Sequence, residues 1–372
     1  MAAQLGRDPL ARPLDRPGFG RLRRAGDRVT GAPPVAERPG TERSTSEGAP
    51  GWAPRQPDGG RSGAWLDALL ARCAFPDPAA GPVALAVSGG PDSLALMVLA
   101  ERAGLTGVAV HVDHGLRAGS GAEAGVVEAA SRRFGFGFRA ERVAVGDGAD
   151  LEARARRARY AVLPPGVLTG HTMDDQAETV LLNMLRGAGP DGLAGMRPAA
   201  GGRGVGGGRA VRPLLGIRRA ETLEVCRCAG LTPVCDPTNA DPRFRRNRVR
   251  TELIPLMALI SERDVVPVLA RQAEVMADDV DVLDELAGGI DPTDVRAVRA
   301  ARPALARRAL RAWLRSGEGD HPPSRAEVTR VVEVVEGRAV ACELSGGRRV
   351  ARSRGRLSVS DAVTATEAKG RT

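Results

Sequence analysis

The sequence predicts an α/β protein, a doubly wound parallel sheet followed by a small, mainly helical C-terminal domain. Three observations carry this. Short apolar runs such as Val83-Ala-Leu-Ala-Val87 alternate with stretches of helical length between about residues 63 and 186. The runs are rich in small and β-branched side chains without a polar alternation, as strands buried on both faces of a parallel sheet are. Finally, the unusual polar clusters, Ser88 to Ser93, Asp113 to Arg117 and His171 to Glu178, each fall where such a run ends, which is where ligands bind in a sheet of this kind.

Taken in order, residues 1–60 are Arg, Pro, Gly and small polar residues with too few apolar side chains for a core. They are expected to be disordered, a start codon placed too far upstream being the alternative. Gly63 to Phe75 reads as a helix with Trp65, Leu66, Leu69 and Leu70 on one face. The first strand follows at Val83, and the apolar run after Ser93 is its returning helix. Thr106 to Val112, Phe136 to Val145 and Gly166 to Gly170 read as further strands, with helices over Ala122 to Phe134, Leu151 to Leu163 and Met173 to Arg186. Gly201 to Gly208 is a loop, Arg218 to Gly230 a helix and Cys235 to Asn239 a turn; Arg243 to Arg250 enters a helix ending near Met257. The boundary between a catalytic domain (61–258) and a smaller one (259–360) is placed near Pro255 to Arg263. Beyond it, Asp264 to Leu286, Pro303 to Ser316 and Pro323 to Gly337 read as helices. Ala339 to Leu344 with Arg348 to Ser358 reads as a hairpin over Gly346-Gly347, and 361–372 as a loose tail.

Composition narrows the class. No apolar run is long enough to cross a membrane and no leader pattern is present, so a cytoplasmic protein without membrane contact is expected. Five cysteines with no Cys-x-x-Cys pair argue against a zinc site or a disulfide framework. The formal charge of +9 points to a polyanionic partner such as nucleic acid. That inference is discounted in part, because Lys369 is the single lysine and an arginine-rich, Ala- and Gly-rich chain also reflects a GC-rich coding background.

Three constellations carry chemistry. In Ser88-Gly-Gly-Pro-Asp-Ser93 two glycines let the backbone approach a ligand, and the amides of the turn and helix start face an anion. The loop lacks the Gly-Lys-Ser/Thr ending of a Walker loop, and Asp92 suits a divalent cation bridging phosphate oxygens. Asp175 and Glu178, three apart at a helix start, project two carboxylates from one face, suited to a metal or an ammonium group. First-turn acids that merely complement the helix dipole are the alternative. Arg243 to Arg250 holds five arginines in eight residues, with only Phe244 and Val249 apolar, and would serve phosphates. The arginines between Glu152 and Tyr160 form a weaker cluster, for several of which a solvated face suffices.

In this order the motifs resemble the N-type ATP pyrophosphatases, a Rossmann-like PP-loop (adenine nucleotide alpha hydrolase-like) superfamily. Within it, Asp113-His-Gly-Leu-Arg117, Glu152 to Tyr160, Gly170-His171 with Asp175 to Thr179, Leu185-Arg-Gly187, Arg212-Pro-Leu-Leu215, Asp236 to Asn239 and Arg246-Asn247 with Arg250 are similar to the tRNA(Ile)-lysidine synthetase family. The resemblance covers about Val83 to Met257 and weakens to architecture beyond Ser261; the extra C-terminal domain of longer members is expected to be missing. It implies ATP-dependent joining of L-lysine to C2 of the first anticodon cytidine of a CAU-reading isoleucine tRNA, through an adenylate, with release of AMP and diphosphate. It further implies that Ser88, Gly89, Gly90, Pro91, Asp92 and Ser93 hold the phosphates, with His114 and Arg246 also toward the nucleotide, and that Asp92 positions Mg²⁺. Asp92, Asp175 and Glu178 become the catalytic set, the latter two toward the lysine ammonium; Arg246 and Arg250 face ATP or tRNA, and a homodimer is left open. The rivals are a tRNA-thiolating enzyme of the same superfamily and a catalytically silent tRNA-binding protein.

Overall fold

The computed structural model describes residues 63–113, 115, 121–144, 151–198, 210–234, 241–315 and 323–361. The N-terminal segment, His114, the Gly201 to Gly208 loop, the Cys235 to Asn239 turn and the tail after Asp361 lie outside the described residues.

After helix α1 (Gly63–Leu70) the chain alternates β1 (Val83–Ala86), α2 (Pro91–Arg102), β2 (Gly107–Asp113), α3 (Gly121–Arg133), β3 (Gly137–Arg142), α4 (Leu151–Val162), β4 (Val167–Thr169) and α5 (Met173–Leu185). A four-residue helix α6 (Pro190–Leu193) and a two-residue strand β5 (Ala210–Val211) follow. The sheet order is β3-β2-β1-β4-β5 with every pair parallel; Val83 sits opposite Gly107 and Leu85 opposite Leu168. The chain winds outward from β1 to β3, then returns to place β4 on the other side of β1. The strand order therefore reverses between β1 and β4, and a crevice forms there at the strand ends. Helix α2 starts at that crevice and is buried on every side from Ser93 to Ala100, which explains its nearly unbroken apolar sequence.

Helix α7 (Arg219–Cys228) packs on α2. The arginine-rich segment forms α8 (Arg245–Arg248), a π-helical turn over Val249–Leu253 and α9 (Ile254–Ser261). Helix α10 (Val266–Gly288) lies against α5 and α6 and also against α12, with Val266, Leu269 and Ala273 buried on Ala177, Val180 and Leu181. Then come α11 (Val295–Ala300), α12 (Pro303–Arg315), α13 (Arg325–Glu336) and strands β6 (Ala341–Glu343), β7 (Arg348–Ser353) and β8 (Arg356–Asp361). These close a second core around Val298, Leu310, Leu314, Val331, Val334 and Val350.

Three local expectations change. Strand β5 adds a fifth member that two residues cannot announce by any periodicity; pairing with β4 makes it a strand. Helix α11 was not expected, and six residues carry less than two turns of pattern. The C-terminal hairpin is a three-stranded meander, because the run expected as one strand turns at Arg354-Gly355, where φ is 48° and 78°. Two consecutive positive φ values are what a tight hairpin turn of favourable twist needs. Among the described residues no helix is long and apolar enough to cross a membrane.

Candidate active site

The loop after β1 is held by its own serines. Ser88 N–H donates to Ser93 Oγ at 3.2 Å, Gly90 N–H to Ser88 Oγ at 3.4 Å, and Ser93 Oγ–H to the Gly90 carbonyl at 2.9 Å. Gly89 has φ +86°, and a Cβ there would lie 3.1 Å from Val234 Cγ2, so both conformation and space call for glycine. Gly90 caps α2 without any side-chain bond and Pro91 occupies the first turn. The first amides of α2 thus keep their hydrogen-bonding capacity and the helix dipole for an anion. Across the crevice Gly170, just past β4, passes so close that a Cβ would sit 2.6 Å from the Asp92 carbonyl oxygen.

Asp92 follows in the first turn of α2. It accepts from Thr222 Oγ1–H in a short contact and from Arg219 Nε at 3.3 Å. Burial and the nearby Asp175 push its pKa up. A carboxyl made uncomfortable by a like charge is a good partner for an added cation.

Thr172 caps α5, and Asp175 closes a capping box by accepting from Thr172 N–H at 2.9 Å. Its other oxygen takes Arg219 Nη2 at 2.8 Å and Arg246 Nη2 at 2.9 Å. Burial alone would raise this carboxyl, but Arg246 and Arg219 overcome it and hold the group well below the usual carboxylate range. One turn on, Glu178 is fully buried. It accepts from Arg246 Nε at 2.6 Å, Arg250 Nε at 2.6 Å and Arg219 Nη1 at 3.1 Å. Arg246 and Arg250 lie four apart on the same helical face, which is why one carboxylate meets both. Asp174 is turned aside to Arg218, at 3.0 Å, and to the Arg219 backbone N–H, at 2.9 Å.

Further arginines and a histidine gather beside these acids. His171 shares a 2.9 Å bond with Thr169 through Nδ1, and loss of water around the ring pushes its pKa down to about 3, so it is neutral at pH 7. Arg212 is buried and donates to the Arg197 carbonyl at 3.1 Å. From α4, Arg156 and Arg159 lie over the Tyr160 ring at 5.0 and 5.8 Å. Arg159 Nε is buried without a hydrogen-bond partner, and removal from water together with Arg156 and Arg246 pulls the Arg159 pKa down. Guanidiniums crowded in this way are relieved by an anion.

The structure therefore brings together Ser88 to Ser93, Asp92, Asp175, Glu178 and Arg246 at one crevice. His114 is outside the described residues, and so is the Glu152 side chain. Sequence reasoning missed Arg219, Thr222 and Thr172. Arg219 had one signal, since Arg218-Arg219 puts two cations at a helix start, against the helix dipole.

A phosphate loop at the switch point of a parallel sheet, with an acid in place of the Walker lysine, defines a PP-loop α/β protein. The family model for the PP-loop domain matches residues 69–257, and that for the TilS substrate binding domain matches residues 294–358. A tRNA(Ile)-lysidine synthase of Nocardia farcinica is 42% identical over 302 residues, 76% of this chain and 93% of that protein. That of Salinispora tropica is 42% identical over 312 residues, 77% of this chain and 92% of the relative. This chain belongs to the tRNA(Ile)-lysidine synthase family. A solved U34-tRNA thiolase from Methanococcus maripaludis aligns at TM-score 0.46 and 16% identity over 58% of this chain and 79% of its own, too distant to bear on function.

Proposed function

We propose that this chain joins L-lysine to C2 of the wobble cytidine in a CAU-anticodon isoleucine tRNA, using ATP. The C2 oxygen attacks the α-phosphorus, the bond to the β-phosphate oxygen breaks and diphosphate leaves. The lysine amine then attacks C2, loses a proton and displaces AMP. The observation that carries this reading is the juxtaposition of an uncapped phosphate loop with Asp175 and Glu178 across the β1–β4 crevice.

The loop amides and the start of α2 would hold the departing diphosphate, charge being stabilised where it develops. Asp92 fits a magnesium site: it is one carboxylate beside a phosphate cradle, and such ions are held by one or two carboxylates plus phosphate oxygens. When bound, the ion would neutralise charge on the phosphates. Asp175 and Glu178 would receive the lysine ammonium. Arg156, Arg159 and Arg246 would face a phosphate, of ATP or of the tRNA. Residues 259–360 would form the tRNA-contacting domain, and acting on such a substrate the protein would work in the cytoplasm. Sulfur transfer is disfavoured because Cys226, which donates to the Pro91 carbonyl beside the loop, has its thiol pushed up to about 12 by burial.

The test is to supply purified protein with ATP, Mg²⁺ and L-lysine, with and without the CAU isoleucine transcript. AMP and diphosphate released only with that tRNA, together with lysine in the tRNA, is the expected result. Binding without AMP release, or lysine-independent modification, overturns the proposal.

A further inference from the structure

Arg219 has no role in the reaction outlined above, yet its guanidinium touches every carboxylate that the reaction uses. Its three nitrogens reach Asp92 at 3.3 Å, Asp175 at 2.8 Å and Glu178 at 3.1 Å. Asp92 comes from the first turn of α2, Asp175 and Glu178 from the first two turns of α5 and the arginine from the first residue of α7, so three elements meet at one side chain. Its backbone N–H is fixed by Asp174 at 2.9 Å, so the side chain can leave without moving the helix.

Charge is closely balanced in this cluster: Asp92, Asp175 and Glu178 face Arg219, Arg246 and Arg250. An arriving ammonium group gains little from carboxylates already neutralised, so it must displace one of the guanidiniums. Arg246 and Arg250 hold Glu178 through 2.6 Å bonds, whereas two of the three Arg219 contacts are above 3 Å. Among these three, Arg219 is the one bonded to the phosphate-loop acid as well, so a change of charge at Asp92 acts on it directly.

We propose that Arg219 is an internal competitor for the lysine ammonium that ties lysine binding to nucleotide binding. This rests on the function proposed above. A cation drawn to Asp92, with phosphates nearby, removes one Arg219 partner and offers its guanidinium another, so the Asp175–Glu178 pair opens to lysine only when nucleotide is in place. Arg219 is thus a positioning residue that sets the order of substrate binding.

The test titrates L-lysine calorimetrically into wild type, Arg219→Ala and Arg219→Gln, each with and without Mg²⁺ and a non-hydrolysable α,β-methylene ATP. Wild type is expected to bind lysine roughly tenfold or more tightly with the nucleotide, as displacing a charge-assisted hydrogen bond implies. In both variants lysine binds without nucleotide at the affinity that wild type reaches with it, and the coupling vanishes. By linkage, lysine should tighten the nucleotide in wild type alone. Arg219→Gln keeps donors for Asp175 and serves if Arg219→Ala does not fold. Coupling unchanged in the variants, or lysine bound more weakly in both conditions, overturns the inference while leaving wild-type ligation intact. Wild type that binds no lysine and forms no AMP with the tRNA overturns the proposed function itself.

Discussion

Gly170 shows how much of the site rests on a residue with no side chain. A Cβ there would sit only 2.6 Å from the Asp92 carbonyl oxygen, so the chain just past β4 can lie this close to the start of α2 only as glycine. Gly170→Ala must therefore push the first turn of α2, and with it the phosphate loop, off its position. Overpacking of this kind costs about 1–3 kcal/mol, and misplacement of the loop is expected to weaken ATP binding roughly tenfold or more. Thermal unfolding and nucleotide titration measure the two effects; unchanged nucleotide affinity would show that the loop tolerates the shift. Asp175 and Glu178 were legible in the sequence as a pair on one helical face. Which cations pair with them was not, because Arg219 lies 41 residues and Arg250, expected only to face ATP or tRNA, 72 residues beyond Glu178.

Element boundaries were mostly legible, as α12 and α13 illustrate, since their apolar periodicity and caps are local. Helix α13 begins with a capping box in which Glu327 accepts from Ser324 N–H at 2.7 Å. The same carboxylate accepts Ser345 N–H at 2.8 Å, tying α13 to the turn between β6 and β7. These backbone N–H groups hold its pKa down at about 2, from 4.5. The resulting stabilisation is complete above pH 4.5 and is lost as pH falls from there through about 2. Glu327→Gln keeps one acceptor and loses the charge, and should cost about 1–2 kcal/mol at pH 7. The gap in unfolding midpoint between the two proteins should narrow below pH 4.5; a gap independent of pH would exclude the carboxylate as its source. What escaped the sequence at this scale, β5, α11 and the Arg354-Gly355 turn, is short, and there the pairing partner rather than the pattern sets the conformation.

At the scale of the molecule, α10 is the spine against which both the α5 side of the sheet and α12 pack. Arg308 of α12 fastens this arrangement by reaching Asp284 of α10 at 2.5 Å and Asp191 of α6 in a second, short contact. Arg308→Ala leaves both acids without that cation, at an expected cost of about 1–2 kcal/mol, between the limits for exposed and buried pairs. Because Arg308 pairs with Asp284 and Asp191 and not with the carboxylates of the crevice, ATP affinity should stay unchanged while KM for the tRNA rises. A parallel loss of ATP affinity would mean that α12 supports the catalytic sheet rather than orienting the second core.

The sequence by itself determined the α/β class, the phosphate loop and the paired acids, since strand burial, glycine geometry and helical spacing are local and leave marks within a few residues. Only the tertiary structure decided that Asp92, Asp175 and Glu178 share one guanidinium. That arrangement depends on α7 crossing α2 beside α5, a consequence of packing for which no stretch of sequence carries a local signature.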